Sequence, residues 1–351
     1  MSRPTLDLIV VGAGPVGLAT AIEAALAGLK VSVVDPRADP VDKACGEGLM
    51  PSAVAALARL GVYPAGIDVH GISYVAGGHR AQARFPAGPG RGVRRIALQQ
   101  SLAVRAQEAG VSRVRGKVQE VCQDTAGVRV AGPGWSHRAG WVVAADGLHS
   151  PLRRRLGLGR PPGHLARWRA ARFGLRRHYP VAPWSDLVEV HWGRDTECYV
   201  TPVAEDLVGV ALLGPAGASY AARLAAFPEV LARVGDAAAG PVLGSGPLRQ
   251  SVATRARGRV LLVGDAAGYV DALTGEGIAV GLACARAAVS CLVREAPQDY
   301  NAAWRSASRR YRVLTEALLA ASGVAPVRAA LVPACERVPR AFAAVVGQLA
   351  R

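Results

Sequence analysis

The sequence predicts an α/β protein in which a parallel sheet flanked by helices is interleaved with an antiparallel sheet and followed by a helical tail. Three observations carry this. Apolar runs of strand length end on glycine-rich turns that lead into small-residue helices, first at Leu6–Gly17 and again at Val260–Gly277. Between them, from about Gly163 to Ser251, short alternating or apolar runs are separated by Gly, Pro and Asp, the texture of an antiparallel meander. Beyond Asp299 the pattern is helical and broken by prolines.

Taken in order, Leu6–Val11 reads as a buried strand, Gly12-Ala13-Gly14-Pro15-Val16-Gly17 as a tight turn, and Leu18–Ala27 as a helix stopped by Gly28. Lys30–Val34 is the second strand, closing on Asp35, 18 residues after Gly17. Strand, glycine turn, helix, strand and terminal acid form the Rossmann-like dinucleotide fingerprint. Its glycines let backbone approach a pyrophosphate at a helix start, and its acid takes ribose hydroxyls. This fixes an adenine dinucleotide without choosing NAD or FAD.

A loop, Asp42-Lys43-Ala44-Cys45-Gly46-Glu47-Gly48, precedes a helix from Ser52 to Leu60, and its glycine-flanked cysteine either faces a cofactor ring or is a plain loop residue. The next helix begins near Arg95, a candidate for phosphate or a flavin edge, and has apolar positions at 98, 102 and 106 before Gly110. After a hairpin around Gly127 and Gly132, Trp141–Ala145 closes on Asp146-Gly147 with a basic helix start behind it. Leu187–Trp192, Glu197–Val203 and Leu207–Leu213 are the strands of the second sheet. The chain returns through Val260 to Gly264-Asp265, a glycine-rich turn and a helix near Gly277. Such a helix start carries roughly half a positive charge and free N–H donors, while Asp265 can accept hydrogen bonds from sugar-like hydroxyls. A helix from about Asp299 to Ala321 follows, then a tail, Val327 to Leu349, apolar on one side and arginine-bearing on the other.

At 351 residues, 51% hydrophobic and 19% charged, the chain is globular, and its length suggests about two compact units. No apolar run reaches the roughly twenty residues of a membrane span. The formal charge of +16 is almost all arginine, with Lys30, Lys43 and Lys117 the only lysines. The arginines are scattered rather than striped, so nucleic acid is not the expected partner. Attraction of anionic substrates stays open, and contact of the tail with a membrane surface is open but not favoured. The six cysteines show neither a Cys-x-x-Cys spacing nor a nearby His pair, which argues against a zinc site. With no charged leader and cleavage site, a cytoplasmic location is expected.

Three motifs in this order, Gly12–Gly17, Asp146-Gly147 with Ser150 and Arg153, and Gly264-Asp265, resemble the flavin-binding pattern shared by class A flavoprotein monooxygenases and geranylgeranyl reductases, over Leu6 to about Leu292. The resemblance implies bound FAD. Gly12, Gly14, Pro15, Val16, Gly17 and Asp35 would hold its ADP half, with Arg95 and Asp146 along it. Gly264 and Asp265 would serve the ribityl chain, and Gly275, Gly277 and Ile278 the start of the helix under the flavin pyrimidine. It also implies a discontinuous FAD domain (1–70, 91–160 and 252–300), a substrate domain (71–90 and 161–251) and a C-terminal helical region (301–351). Lys43-Ala44-Cys45-Gly46 and Thr274–Ile278 look like the reductase branch. Glu197–Pro202 keeps only an aromatic and the proline of that branch's Tyr-x-Trp-x-Phe-Pro segment, and the Trp-x-Trp pair of flavin halogenases is absent.

The expected activity is an FAD-dependent monooxygenase, hydroxylating or epoxidising an apolar aromatic or polyketide-like molecule with NAD(P)H as transient reductant and O₂. The alternatives are a double-bond reductase of the geranylgeranyl type and a non-catalytic flavin-binding partner protein. Cys45, Tyr199 and His191 are the candidate pocket groups, and the assembly expected is a monomer or homodimer.

Overall fold

The computed structural model describes residues 6–37, 40–160 and 171–350; Gly163, where the sequence texture changes, lies outside them. Eight strands form the first sheet. Its main path runs Ala256–Arg257, Val260–Leu262, Trp135–Ala144, Leu6–Val11, Val31–Asp35 and Ser112–Arg115, and all but the first of these are parallel. Glu120–Asp124 and Gly127–Gly132 extend Trp135–Ala144 as an antiparallel ribbon. Leu8, Ile9, Val10, Val142, Val143, Leu261 and Leu262 are fully buried, the continuous apolar pattern of a sheet covered on both faces rather than the alternation of a half-exposed one. Strand order turns at the Leu6–Val11/Trp135–Ala144 pair, with later-paired strands lying to either side, so a crevice opens beyond their carboxyl ends.

The second sheet has seven strands in the order Ala239–Ser245, Arg172–Tyr179, Leu207–Pro215, Glu197–Ala204, Val188–Trp192, Gly71–Ala76 and His79–Arg84. Every pair within 172–245 is antiparallel, as expected of that stretch, while Gly71–Ala76, which joins from outside it, runs parallel to Val188–Trp192. The reason is connectivity. Gly71–Ala76 enters from a hairpin far earlier in the chain, so no tight turn dictates its direction relative to Val188–Trp192. A small sheet of Gly48–Leu49, Gly90–Gly92 and Ile67–Val69 lies beside them.

The two faces of the seven-stranded sheet have different covers. Tyr74, Val190, Trp192, Tyr199 and Leu213 share one apolar cluster with Leu273 and with Val332, Phe342, Val346 and Leu349 of the C-terminal helices. Cys198, Val200, Val210 and Leu212 pack on the other side against Tyr220–Leu224 and Pro228–Val234. The C-terminal helices are Tyr300–Ser322, Ala325–Arg337 and Pro339–Leu349, so the tail is two helices, the second started by Pro339 in its first turn. Its arginines do not all face outward. Arg328 is 8% exposed, donates from Nε to the Gly193 carbonyl at 2.7 Å and pairs through Nη1 with buried Glu197 at 2.7 Å. No single helix among the described residues is long and apolar enough to cross a membrane.

Candidate active site

The first glycine turn performs three separate steric jobs. Gly12 has φ of 110°, and a Cβ there would overlap the Ala145 carbonyl oxygen, so the turn crosses the end of the neighbouring strand at backbone distance. A Cβ on Gly17 would overlap the Gly12 carbonyl oxygen, which lets the helix pack onto the turn. Gly14 is open, with Arg95 Nη2, 3.9 Å from its Cβ position, as the sole neighbour within 4 Å. It precedes the Pro15–Leu26 helix, which has no side-chain cap, and Pro15 has no N–H to spare. Val16 contributes backbone here. Its side chain is wedged against Gly264 and Gly281, where any larger residue would collide with it.

Asp35 closes the second strand as expected, but its carboxylate is not free. It accepts from the Ala13 amide at 2.8 Å and from Arg37 at the backbone N (2.9 Å), Nε (3.1 Å) and Nη2 (3.0 Å), and the residue is 6% exposed. Burial alone pushes its pKa up; the Arg37 guanidinium and the Ala13 amide outweigh burial and hold it below the usual carboxylate range. The expected open ribose acceptor is therefore a carboxylate–guanidinium pair, because the turn at Pro36 folds Arg37 back on it. Gln99 locks the same turn, donating to the Ala13 carbonyl at 2.8 Å and accepting from Val41 N at 3.0 Å.

Between Asp35 and Asp265 stands a group of cations. Burial depresses the Lys43 pKa, Arg37 and Arg95 depress it further, and the two carboxylates oppose them. Burial raises that of Asp265 against Arg95, Lys43 and Arg153, and no hydrogen bond from the described residues engages its carboxylate. Arg95 begins its helix, donates its backbone N to Glu47 Oε1 at 2.9 Å and leaves a buried Nε without a partner. Three cations, an open glycine and an uncapped helix start fit a diphosphate. Lys43 and Arg37 carry no signal for this role in the sequence, because the loops that deliver them meet only in the fold.

Asp146 accepts from Leu152 N at 3.0 Å while its buried Oδ1 has no partner, and burial raises its pKa. Arg153 staples this turn to the next, donating to the carbonyls of Leu148 (2.7 Å), Asp265 (3.2 Å) and Ala266 (3.2 Å) and to Gln250 Oε1 (2.8 Å). Gly264 to Ala267 is a single 3-10 turn. Gly275, at φ 69°, then bends the chain into the Gly277–Val293 helix, which has no side-chain cap at its start. The first-turn amides of Gly277 and Ile278 are thus available to a polar ring edge. The Tyr269 ring lies on Gly277, its hydroxyl 3.3 Å from the Cβ position there.

Burial first, then Tyr311, Asp265 and Asp271 and last Cys45 push the Tyr269 pKa up. Cys45 is half-buried and accepts from Glu47 N at 3.5 Å. The loop bearing it is clamped from beneath. Glu47 adopts φ of 59°, is 3% exposed, and its Oε2 meets His178 Nε2 at 2.7 Å. His178 Nδ1 meets Arg176 at 3.0 Å, and Arg176 pairs with Asp42 and donates to the Lys43 carbonyl at 3.1 Å. Thr201 donates to the Gly46 carbonyl at 2.9 Å.

Two of the expected pocket groups are otherwise engaged. Tyr199 faces the site, yet its hydroxyl donates to the Leu273 carbonyl at 2.7 Å and burial drives its pKa well up, so it anchors the 271–276 turn instead of handling a proton. His191 is on the opposite face of the sheet. Its ring lies 6.4 Å from that of Phe227 and its Nε2 3.1 Å from Glu189 Oε2, with Arg80 and Trp184 on the same carboxylate. It is not brought to the site.

A diphosphate cradle, a free carboxylate where a sugar-like chain would pass and an uncapped helix under a ring site, beside an apolar sheet face, define a flavin-dependent oxidoreductase. Residues 5–197 match the family model described as FAD binding domain, and the chain belongs to that family, the class A flavoprotein monooxygenase family. It is 31% identical over 329 residues to menaquinone reductase of Mycolicibacterium smegmatis, covering 85% of this chain and 79% of the relative. To rifampicin monooxygenase of Rhodococcus hoagii it is 27% identical over 308 residues, covering 79% and 61%. Two solved structures share the fold: the flavin-dependent brominase Bmp2 (TM-score 0.83, 18% identity, 98% of this chain and 93% of that one) and p-nitrophenol 4-monooxygenase PnpA from Pseudomonas putida DLL-E4 (0.80, 20%, 99% of each).

Proposed function

We propose that this flavoprotein is a monooxygenase that oxygenates a planar aromatic ring bearing apolar substituents, with NAD(P)H as transient reductant and O₂ as co-substrate. The observation that carries the reading is the apolar sheet face that packs on the 269–273 turn leading into the Gly277–Val293 helix. Tyr74, Val190, Trp192, Tyr199 and Leu213 lie on it, packed with Leu273 and with Val332, Phe342 and Val346 of the C-terminal helices, and two of the phenols beside Leu273 are engaged. Tyr199 donates to Leu273 O, and Tyr311 donates to Asp271 O at 2.8 Å. The edge of that apolar cluster at Tyr269, Ala272 and Leu273 excludes water from the helix start, and a tyrosine that already donates is a poor proton source. FAD, when bound, supplies the redox chemistry, taking reducing equivalents from NAD(P)H and delivering them to oxygen.

The protein's own contributions are binding and placement. Arg37, Lys43, Arg95 and the Gly14 turn hold the diphosphate, and Asp265 takes hydroxyls of the ribityl chain. Gly277 and Ile278 present amides and a helix N-terminus to the pyrimidine edge, where they favour negative charge. Cys45 shapes the pocket wall.

A double-bond reductase is the second reading, favoured by the thiol of Cys45 near Tyr269 and by the likeness to a menaquinone reductase. Product mass separates the two. Turnover with a hydrophobic phenol or quinone and NADPH is expected to add one oxygen atom in air and to yield no product anaerobically. Addition of two hydrogens, equally well without oxygen, would transfer the assignment to the reductase.

A further inference from the structure

A cavity of about 370 Å³ lies between the Gly277–Val293 and Tyr300–Ser322 helices and the 249–255 segment, and Gly264, Asp265, Tyr269 and Gly277 also line it. Its charge is unbalanced. Arg249 is matched by Glu316 through hydrogen bonds of 2.7 and 2.9 Å. Arg255, Arg305 and Arg312 also line the cavity, and no carboxylate among the described residues pairs with any of the three.

Two of these arginines share one aromatic support. Arg255 lies 3.8 Å and Arg312 5.3 Å from the Trp304 ring centroid, and Arg255 Nε is held by the Ala267 carbonyl at 3.1 Å. Burial first, then Arg312 and Arg305, lower the Arg255 pKa to about 10. Like charges gathered around one indole repel one another at this range, and the fold spends rigid contacts on keeping them together. Guanidinium groups approaching from different elements suit a tetrahedral dianion better than a planar carboxylate, and arginine forks bind phosphate oxygens in pairs.

We propose that this cavity is a second anion site that binds a phosphate-bearing ligand through Arg255, Arg305 and Arg312. It is separate from the FAD diphosphate cradle, which draws on Arg37, Lys43 and Arg95, and it does not depend on whether the enzyme is an oxygenase or a reductase. The phosphate belongs either to a soluble nucleotide or to a phospholipid headgroup, and the chemistry recognised is the same.

The test uses the full chain loaded with FAD, so that the first cradle is filled. Titration calorimetry with inorganic diphosphate at low salt is expected to show saturable binding that weakens as salt rises. The double variant Arg305→Gln/Arg312→Gln, at exposed positions, is expected to bind diphosphate at least about tenfold more weakly, with FAD content and melting temperature unchanged. Displacement of diphosphate by ADP assigns a nucleotide ligand; displacement by phosphatidic acid vesicles but not phosphatidylcholine vesicles assigns a lipid. The proposal is overturned if the wild-type protein shows no saturable binding, if the double variant binds equally well, or if neither competitor displaces diphosphate.

Discussion

Glu276, the residue that leads into the flavin-side helix, makes the stability of this protein fall as pH rises toward neutrality. The carboxyl is 2% exposed, its Oε2 has no hydrogen-bond partner, and Oε1 is 3.8 Å from Arg310. Burial raises its pKa from 4.5 to about 7, against the smaller pulls of Arg310 and Thr274. Because the folded pKa is the higher one, the native state holds the proton that the unfolded chain has released. Stability is therefore fully present below pH 4.5 and is lost as pH rises through 7. The rise from 4.5 to about 7 corresponds to about 3.5 kcal/mol, since a tenfold change in an equilibrium constant is about 1.4 kcal/mol. Glu276→Gln keeps the shape and removes the titration. Urea unfolding of the FAD-loaded protein and the variant at pH 5, 6, 7 and 8 is expected to give a variant-minus-wild-type stability that grows by about 2 to 3 kcal/mol across the series. A difference that stays constant from pH 5 to 8 would refute the reasoning.

Gly14→Ala is expected to fold with near-native stability, since the added Cβ meets only the far end of Arg95, yet to lose about tenfold or more in FAD affinity by flavin titration; Gly17→Ala, which collides with the Gly12 carbonyl, should fail to fold or to retain flavin. Asp265→Ala should weaken FAD by roughly tenfold to a hundredfold, because a hydrogen bond to a charged group contributes about 1.5 to 3 kcal/mol, and an unchanged dissociation constant contradicts its placement on the ribityl chain. Tyr199→Phe should lower unfolding free energy by about 1 to 2 kcal/mol by orphaning the Leu273 carbonyl while turnover stays within severalfold; a loss of turnover with stability intact makes it catalytic after all. Cys45→Ser should keep FAD and oxygen-dependent product formation within about tenfold, since real general acid catalysis is worth roughly a hundredfold or more.

What was legible in the sequence is what near neighbours decide. The strand Leu6–Val11, the stop at Asp35 and the start at Gly277 rest on glycine sterics and on short apolar runs, so they appear within a residue or so of where the pattern puts them. The first helix instead begins at Pro15, three residues before the expected Leu18, because Pro15 suits a first helical turn. The helix after Asp299 is the same kind of signal, as Tyr300–Ser322 shows. Alternation also places Glu189 and His191 on one face of their strand. It is silent about which face turns toward the flavin-side helix.

That choice is made by packing between distant segments. Val190 and Trp192 meet Leu273 and the C-terminal helices, and His191 is thereby sent to the side of Phe227. The charged contacts are of the same origin. Glu47 and His178 are separated by 131 residues and Arg176 and Asp42 by 134, while Arg328 crosses a predicted solvent face to reach Glu197. The sequence by itself determined the dinucleotide fold and the glycine cradle, because those follow from local backbone geometry. Only the tertiary structure decided which arginines and carboxylates meet, because their pairing depends on burial and distance, and neither is written in the spacing of residues along the chain.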